Sequence, residues 1–424
     1  MNRNVKWGWA GLCVAAVLFL AGCQSQVEIA PVETPLPPTQ PVLAPPPAAA
    51  DNLEEVIAQS CTVTSPAEGA QTQTSAYPGV RQTDLVFGPD SAPVTLVEYT
   101  NFLCGHCAAL DITLSDLRSA YPADLRIIMR HYPFRGQDTV VLAAQAVEAA
   151  ARQDIEKAYL LKSYLFRSPG EWKDLPLNQL QSWLGEQAET LELDRARFLD
   201  DLNSEAVQQK VLDDQAEARS LNIPGTPFVI INGKAYAGPR DYASLETIIN
   251  LNKLEELQFS ECPAPQIKAG RSYTATFHTS KGDVLVELYP DQAPAAVNNF
   301  VFLARGGWYN ETIFHRVIPG VIAQGGDPSG TGYGNPGYAF ADEIGTLTFD
   351  QPGMLAMANS GPNTNGSQFF INTSPQPDFN GKYPIFGRVV QGLDVVKSLA
   401  PRDPSAGAPL SDADRILSIT IEEQ

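Results

Sequence analysis

Val94-Thr95-Leu96-Val97-Glu98-Tyr99, followed within a few residues by Cys104-Gly105-His106-Cys107, is the stretch on which the first half of the chain turns. The first six residues form a β-rich apolar run with the length of a buried strand. Downstream, Ala108 to Ala120 reads as a helix. A strand therefore delivers Cys104 to a helix start, where unpaired N–H groups and the helix dipole favour a thiolate, the nucleophile of disulfide exchange. Cys107, one turn later and on the buried side, is placed to resolve a mixed disulfide. His106 between them adds a cationic partner for the thiolate when protonated, making the pair more oxidising. A CxxC pair is also half of a zinc site. Zinc would need two further ligands, and the chain has no second CxxC and no spaced His pair. No metal or other cofactor is expected.

Working outward, a second strand is expected at Leu125 to His131, and helical spacing fills Thr139 to Leu221, including Val140 to Ala151 and Arg195 to Ser220. Pro169 and Pro176 break that region. After Ile223-Pro224-Gly225-Thr226-Pro227, the run Phe228 to Ile231, the Asn232-Gly233 turn and Lys234 to Ala237 read as a hairpin. A helix over Asp241 to Leu257 closes the half. Residues 263–272 form a Pro- and Gly-containing connector. Beyond it the texture changes to short strands, as in Tyr273 to Thr279 and Asp283 to Tyr289, separated by Gly, Pro and Asn turns, the pattern of an antiparallel sandwich or barrel.

The N-terminal end has a different logic. Residues 1–22 carry Arg3 and Lys6, then an apolar run from Trp7 to Leu20, then small residues ahead of Cys23, as in an export signal. A membrane anchor is the competing reading, but the run is shorter than the ~20 residues of a comfortable transmembrane helix. Residues 23–52 are rich in Pro and Ala with almost no charge, a stalk without the apolar periodicity of a core. Residues 53–84, which include Cys61, carry no pattern that assigns them to a domain. The whole chain of 424 residues has a formal net charge of −19, which disfavours binding to phosphate backbones. Its 44% hydrophobic content excludes global disorder and its length suits two or three domains.

Leu20-Ala21-Gly22-Cys23 resembles the lipobox of bacterial lipoproteins, which implies acylation of Cys23, removal of Cys13 with the signal, and a location in the cell envelope on the extracytoplasmic side of a membrane. The CGHC region, about residues 85–262, resembles the thioredoxin superfamily and more closely its DsbA-like branch, an α/β fold with a helical insertion. The resemblance implies that Thr226-Pro227 is the family's cis-proline beside the CxxC. It also implies that Glu98, six residues before Cys104, is the buried acid that moves protons beneath the site. Many family oxidases have Pro at the position of Gly105 and Val at that of Thr226. The direction of electron flow therefore stays open. Cys61 and Cys262 flank this region, and in an exported chain two leftover thiols favour a bridge between them.

Phe314-His315-Arg316-Val317-Ile318-Pro319-Gly320, then Gln324-Gly325-Gly326-Asp327, then Met357 to Ile371 (MANSGPNTNGSQFFI) make residues 273–424 resemble cyclophilin-type peptidyl-prolyl isomerases. That implies an all-β barrel of eight strands with two helices. It gives Arg316 the catalytic role, Ile322, Phe370 and Phe379 the prolyl pocket, and Gln324, Asn359 and Gln368 the polar contacts to substrate backbone. Tyr383 stands where many relatives have His. Val321 and Asp378 depart from the usual Phe and the common Trp or His. The Gly330 to Gly337 run resembles a phosphate loop, but no helix follows it, and a surface loop is expected instead. His131 and His278 receive no role.

Together these readings describe a lipid-anchored folding factor for exported proteins with Cys and X-Pro bonds, combining disulfide exchange with prolyl isomerisation, with a membrane redox partner as a candidate electron source or sink. A membrane-anchored disulfide reductase and a chaperone-like binding module with a weakly active cyclophilin domain are the alternatives.

Overall fold

The structure, a computed structural model, describes residues 53–64, 77–133, 137–406 and 412–424. The signal segment, Cys23 and the stalk up to residue 52 lie outside the described residues. Among the described residues no helix is long and apolar enough to cross a membrane.

The described chain begins with helix Leu53–Ser60 and strand β1 (Cys61–Val63). The first domain follows with β2 (Leu85–Phe87), β3 (Val94–Thr100), β4 (Leu125–His131), β5 (Phe228–Ile231) and β6 (Lys234–Tyr236). These form one sheet in the order β2-β4-β3-β5-β6, with β3 and β4 parallel and the other pairs antiparallel. Val94 and Leu96 of β3 face one core with Leu110, Leu114 and Leu117 of helix Gly105–Ala120, while Val97 and Tyr99 face a second. The period-two alternation thus serves two buried faces of a central strand. Asn232 (φ 47°) and Gly233 (φ 79°) are both left-handed, the geometry of the tight hairpin turn between β5 and β6.

Six helices between β4 and β5 form the insertion. The segment Arg195 to Ser220, expected as one helical run, is two helices, Arg195–Leu202 and Glu205–Ser220. The break falls at Asn203-Ser204, where the Ser204 hydroxyl accepts the Val207 N–H and caps the second helix. Pro169 opens the short helix Pro169–Trp172 rather than ending one, as its missing N–H allows at a first turn. A charged cluster holds the far side of the sheet: fully buried Arg130 binds Asp84 (2.8 Å) and Glu217 (3.1 Å), and Arg81 bridges to Asp214 (2.5 Å). Tyr77 packs on Phe228, so this domain recruits residues ahead of Leu85.

The second domain contains β7 (Tyr273–Thr279), β8 (Gly282–Leu288), β9 (Thr312–Ile313), β10 (Arg316–Ile318), β11 (Ile322–Gly325), β12 (Tyr338–Phe340), β13 (Met354–Met357), β14 (Phe369–Asn372), β15 (Ile385–Gln391) and β16 (Arg415–Glu423). Nine of them join in the order β10-β11-β14-β13-β15-β8-β7-β16-β9, all antiparallel. The expectation was eight strands; the short pairing of β9 with β16 is among the nine. Helices Pro294–Arg305 and Leu393–Lys397 cover this sheet. Phe277, Phe300, Phe369 and Tyr309 meet edge-on or tilted in its core.

Sequence assigns the stretch 53–84 to no domain; of its described residues, 53–64 join the second domain and 77–84 the first. Ile57 is buried in the second domain's core, and β1 pairs with β12. Likewise, Leu254 and Phe259, placed by sequence in the first domain, pack into the second domain's core. Ile267 of the connector is buried there too, and the backbone N–H groups of Gln266 and Ile267 both reach Asn298 Oδ1.

Candidate functional sites

Cys104 lies one residue earlier than a first-turn placement: it is the N-cap of helix Gly105–Ala120, and its carbonyl accepts the N–H groups of Cys107 and Ala108. Cys104 is partly buried, and its Sγ lies 3.2 Å from the Thr226 carbonyl oxygen. The Thr226-Pro227 peptide is cis. The loop before β5 is thereby set against the helix start, and sulfur and backbone acceptor share one surface. Cys107 is fully buried; burial first, and then the neighbouring Cys104 thiol, push its thiol up to about 12. Cys107 therefore holds its proton at neutral pH, whereas Cys104 is the accessible sulfur. His106 is exposed beside it.

Glu98 is wholly buried on β3, and burial raises its carboxyl above the usual range against the opposing pull of Lys162. Lys162, from helix Ile155–Arg167 of the insertion, lies 3.2 Å from Glu98 and 2.8 Å from Asp111. Although burial disfavours its charge, Glu98 and Asp111 together hold the Lys162 ammonium above its ordinary range. Sequence reasoning missed Lys162 and Asp111. The available signal was a Lys on the same helical face as Ala158, Leu161 and Leu165. His131, given no role from sequence, is buried with its Nε2 3.0 Å from Glu148. Those two groups and Asp214 converge as a metal site would. Lys210 already supplies a cation there, 2.6 Å from Asp214 and 3.6 Å from Glu148. The Cys61 and Cys262 sulfurs are bonded, with Cα atoms 6.0 Å apart.

In the second domain, β10, β11 and β14 place the candidate residues by register: Arg316 opposite Gln324, and Gln324 opposite Phe370. Among the described residues the Arg316 guanidinium has no side-chain hydrogen bond or ion pair, and its charge helps to lower the Asp403 carboxyl. Phe370, Ile322, Phe379 and Tyr383 gather in one apolar cluster, with Val321 at its margin. Phe370 meets Phe379 and Tyr383 edge-on, with centroids 5.8 and 5.2 Å away. Phe349, Met354 and Ile385 also join the cluster and were not singled out from sequence. Asp378 is exposed. Gln324 donates to Gln368 (3.0 Å), and Gln368 donates to the carbonyls of Gly332 and Gly334. Asn359 is fixed by Asn365 (3.1 Å). Burial lowers the His315 imidazole and so keeps it neutral beside Arg316. His278 is exposed against Asp283 and Thr420.

The apolar cluster around Phe370 and the amides of Gln324 and Gln368 beside it form a candidate binding site. Residues 274–421 match the family model "Cyclophilin type peptidyl-prolyl cis-trans isomerase/CLD", and residues 81–251 match "Thioredoxin". A peptidyl-prolyl cis-trans isomerase of Arabidopsis thaliana is 46% identical over 153 residues, 35% of this chain and 95% of that protein. Peptidyl-prolyl cis-trans isomerase B of Streptomyces anulatus is 46% identical over 168 residues, 35% of this chain and 95% of the other. A crystal structure of a cyclophilin type isomerase of Cryptosporidium parvum shares 41% identity, covering 36% of this chain and 98% of that one, with a TM-score of 0.33. The chain belongs to the cyclophilin-type peptidyl-prolyl cis-trans isomerases and carries a thioredoxin-like domain ahead of the family's own.

Proposed function

We propose that this chain is a folding factor, lipid-anchored through Cys23 on the extracytoplasmic side of a bacterial membrane, that catalyses prolyl isomerisation and thiol-disulfide exchange on exported proteins. The observation that carries the redox part is the pairing of an accessible Cys104 at a helix start with a buried, proton-holding Cys107, beside the Thr226 carbonyl. In the reductive direction the Cys104 thiolate attacks one sulfur of a client disulfide, breaking that bond and releasing a client thiolate. Cys107 then attacks Cys104, its proton passing to the departing client sulfur. The client gains two electrons as a dithiol and the Cys104–Cys107 pair loses them as a disulfide; the reverse sequence oxidises a client.

At the second site the task is to lower an X-Pro rotation barrier of roughly 18–20 kcal/mol, which arises from amide resonance. As the bond twists, the prolyl nitrogen loses conjugation and becomes a hydrogen-bond acceptor. A guanidinium fixed beside it stabilises that state more than the planar one. The aromatic cluster around Phe370 holds the ring while the backbone on one side turns. Proline isomerisation and disulfide rearrangement are both slow steps of folding, and one chain bearing both sites raises the effective concentration of each for a shared client.

Three measurements test the reading. Turnover of an X-Pro peptide above the uncatalysed rate is expected, and its absence overturns the isomerase role. A Cys104–Cys107 reduction potential near about −120 mV marks an oxidant and one near about −270 mV a reductant; failure of the pair to form a disulfide overturns the redox role. Cys23→Ser is expected to release the chain from the membrane fraction, and unchanged retention with normal processing overturns the anchor.

A further inference from the structure

One face of the first domain's sheet is apolar along most of its length and polar at one end. On that face β3 presents Leu96, Glu98 and Thr100, and β4 presents Ile127, Met129 and His131, because paired residues of parallel strands point the same way and His131 stands opposite Thr100. Helix Gly105–Ala120 covers the face with Cys107 and Leu110. The polar end, made of Glu98, Thr100 and His131, is buried. It belongs to the redox site: the Thr100 hydroxyl and the Asn101 backbone both act on the Cys107 thiol in the direction that favours a thiolate, against the larger effects of burial and of Cys104.

The charges around that end do not cancel. Glu98 and Asp111 share one cation, Lys162. On the other side of His131, Glu148 lies 3.0 Å from its Nε2 and 3.6 Å from Lys210. Asp214 accepts the His131 backbone N–H (3.0 Å) and meets both Lys210 (2.6 Å) and Arg81 (2.5 Å). On the far face of the sheet, Arg130 and Arg81 answer Asp84 and Glu217. Glu148 and Asp214 therefore have cations of their own, whereas two carboxyls share one ammonium beneath Cys107. Burial raises the Glu98 carboxyl and Asp111 adds to the rise, while Lys162 and His131 oppose it. The His131 Nδ1 has no hydrogen-bond partner among the described residues, so the carboxylates around the ring, and no second hydrogen bond, decide its charge.

We propose that His131, oriented by Glu148, is a redox-tuning residue of the CGHC pair: its imidazolium form supplies the positive charge missing beneath Cys107 and stabilises the reduced pair, which carries a thiolate, over the disulfide, which carries none. It is a positioning residue, acting through the field at the sulfurs and exchanging neither proton nor electron with the client. Charges in a buried site are felt across several ångströms, because little water screens them. A pair whose reduced form is stabilised in this way is the more oxidising one. Histidine changes charge near neutral pH. Reduction then draws a proton onto His131, and the potential of the pair falls more steeply with rising pH than it does without the imidazole.

The inference rests on the redox reading, and its test separates the two. Full-length wild type and His131→Gln are equilibrated in glutathione buffers at pH 7, and the Cys104–Cys107 disulfide is counted, separately from Cys61–Cys262, by alkylation and mass spectrometry. His131→Gln is expected to raise the equilibrium constant for forming that disulfide by about fivefold or more. It is also expected to raise the pH at which the ultraviolet absorbance of the Cys104 thiolate appears, which a merely structural role would not move. An unchanged constant in the folded variant overturns the inference and leaves the redox role standing. A wild-type pair that never forms its disulfide overturns that role instead. A reciprocal measurement needs no variant: linkage requires His131 to bind its proton more tightly in the reduced than in the oxidised protein, and the chain has only four histidine rings to follow by NMR. A His131 ring that titrates at the same pH in both states, or stays neutral in both, overturns the proposal.

Discussion

The two candidate sites are built in opposite ways. The candidate prolyl site draws Arg316, Ile322, Gln324, Phe370, Phe379 and Tyr383 from residues 316–383, the first four on adjacent strands in register, and its pocket is apolar. The Cys104 site needs the Thr226 carbonyl, 122 residues away, and overlies a buried charge network reaching into a helical insertion. A site made of neighbours tolerates change elsewhere in the fold. A site assembled from distant segments depends on every element that holds those segments together, and buried charges raise that dependence because each loses its compensation when a partner is removed.

The largest expected effect separates the two chemistries outright. Cys104→Ser is expected to abolish disulfide exchange while leaving X-Pro turnover within about twofold, since fold-changes at sites without shared partners are close to independent. Parallel insulin-reduction and isomerisation assays check this; loss of both activities would show that the sites are not separable. Next comes Lys162→Met, which strands Glu98 and Asp111 in the interior. Removal of one partner of a buried pair costs roughly 3–5 kcal/mol, so urea unfolding of the first domain should shift to clearly lower denaturant. Adding Glu98→Gln should recover part of the loss, and recovery of nothing would break the network account.

Arg316→Ala should slow isomerisation roughly 10²-fold, by analogy with a lost oxyanion donor worth about 2.7–4 kcal/mol. Disulfide exchange should be unmoved. Equal wild-type and variant rates above background would remove Arg316 from the mechanism. The smallest effect is a pH profile. Cys107 holds its proton up to about 12, above the ~8.5 of a free thiol. A raised thiol value means the folded, reduced form binds the proton more tightly than the unfolded chain. Its contribution to stability is therefore complete below about pH 8.5 and is lost as pH rises toward 12. Iodoacetamide at pH 7 to 8 should label Cys104 and spare Cys107 until the domain unfolds, as read by mass spectrometry. Equal labelling would contradict the burial that distinguishes the pair.

Local pattern determined much of this protein. The apolar run Val94 to Tyr99 is a strand because alternate residues meet two cores, and CGHC starts a helix because the strand ends just before it. The motifs around Arg316 and Gln368 were legible because each is an unbroken run of sequence that forms one strand with its flanking turn. Only the tertiary structure decided the rest. Lys162 carries no local mark that sets it opposite Glu98, Phe349 reaches the prolyl cluster by the path of a loop, and Arg195 to Ser220 keeps helical spacing straight through the break at Ser204. Residues 61–63, featureless as sequence, become a strand by pairing with β12, which carries Cys61 to Cys262 across 201 residues. Periodicity records whether a residue faces an interior. Which distant segment supplies the other side of that interior is settled by packing, where shape and paired hydrogen bonds select one partner among many of similar composition.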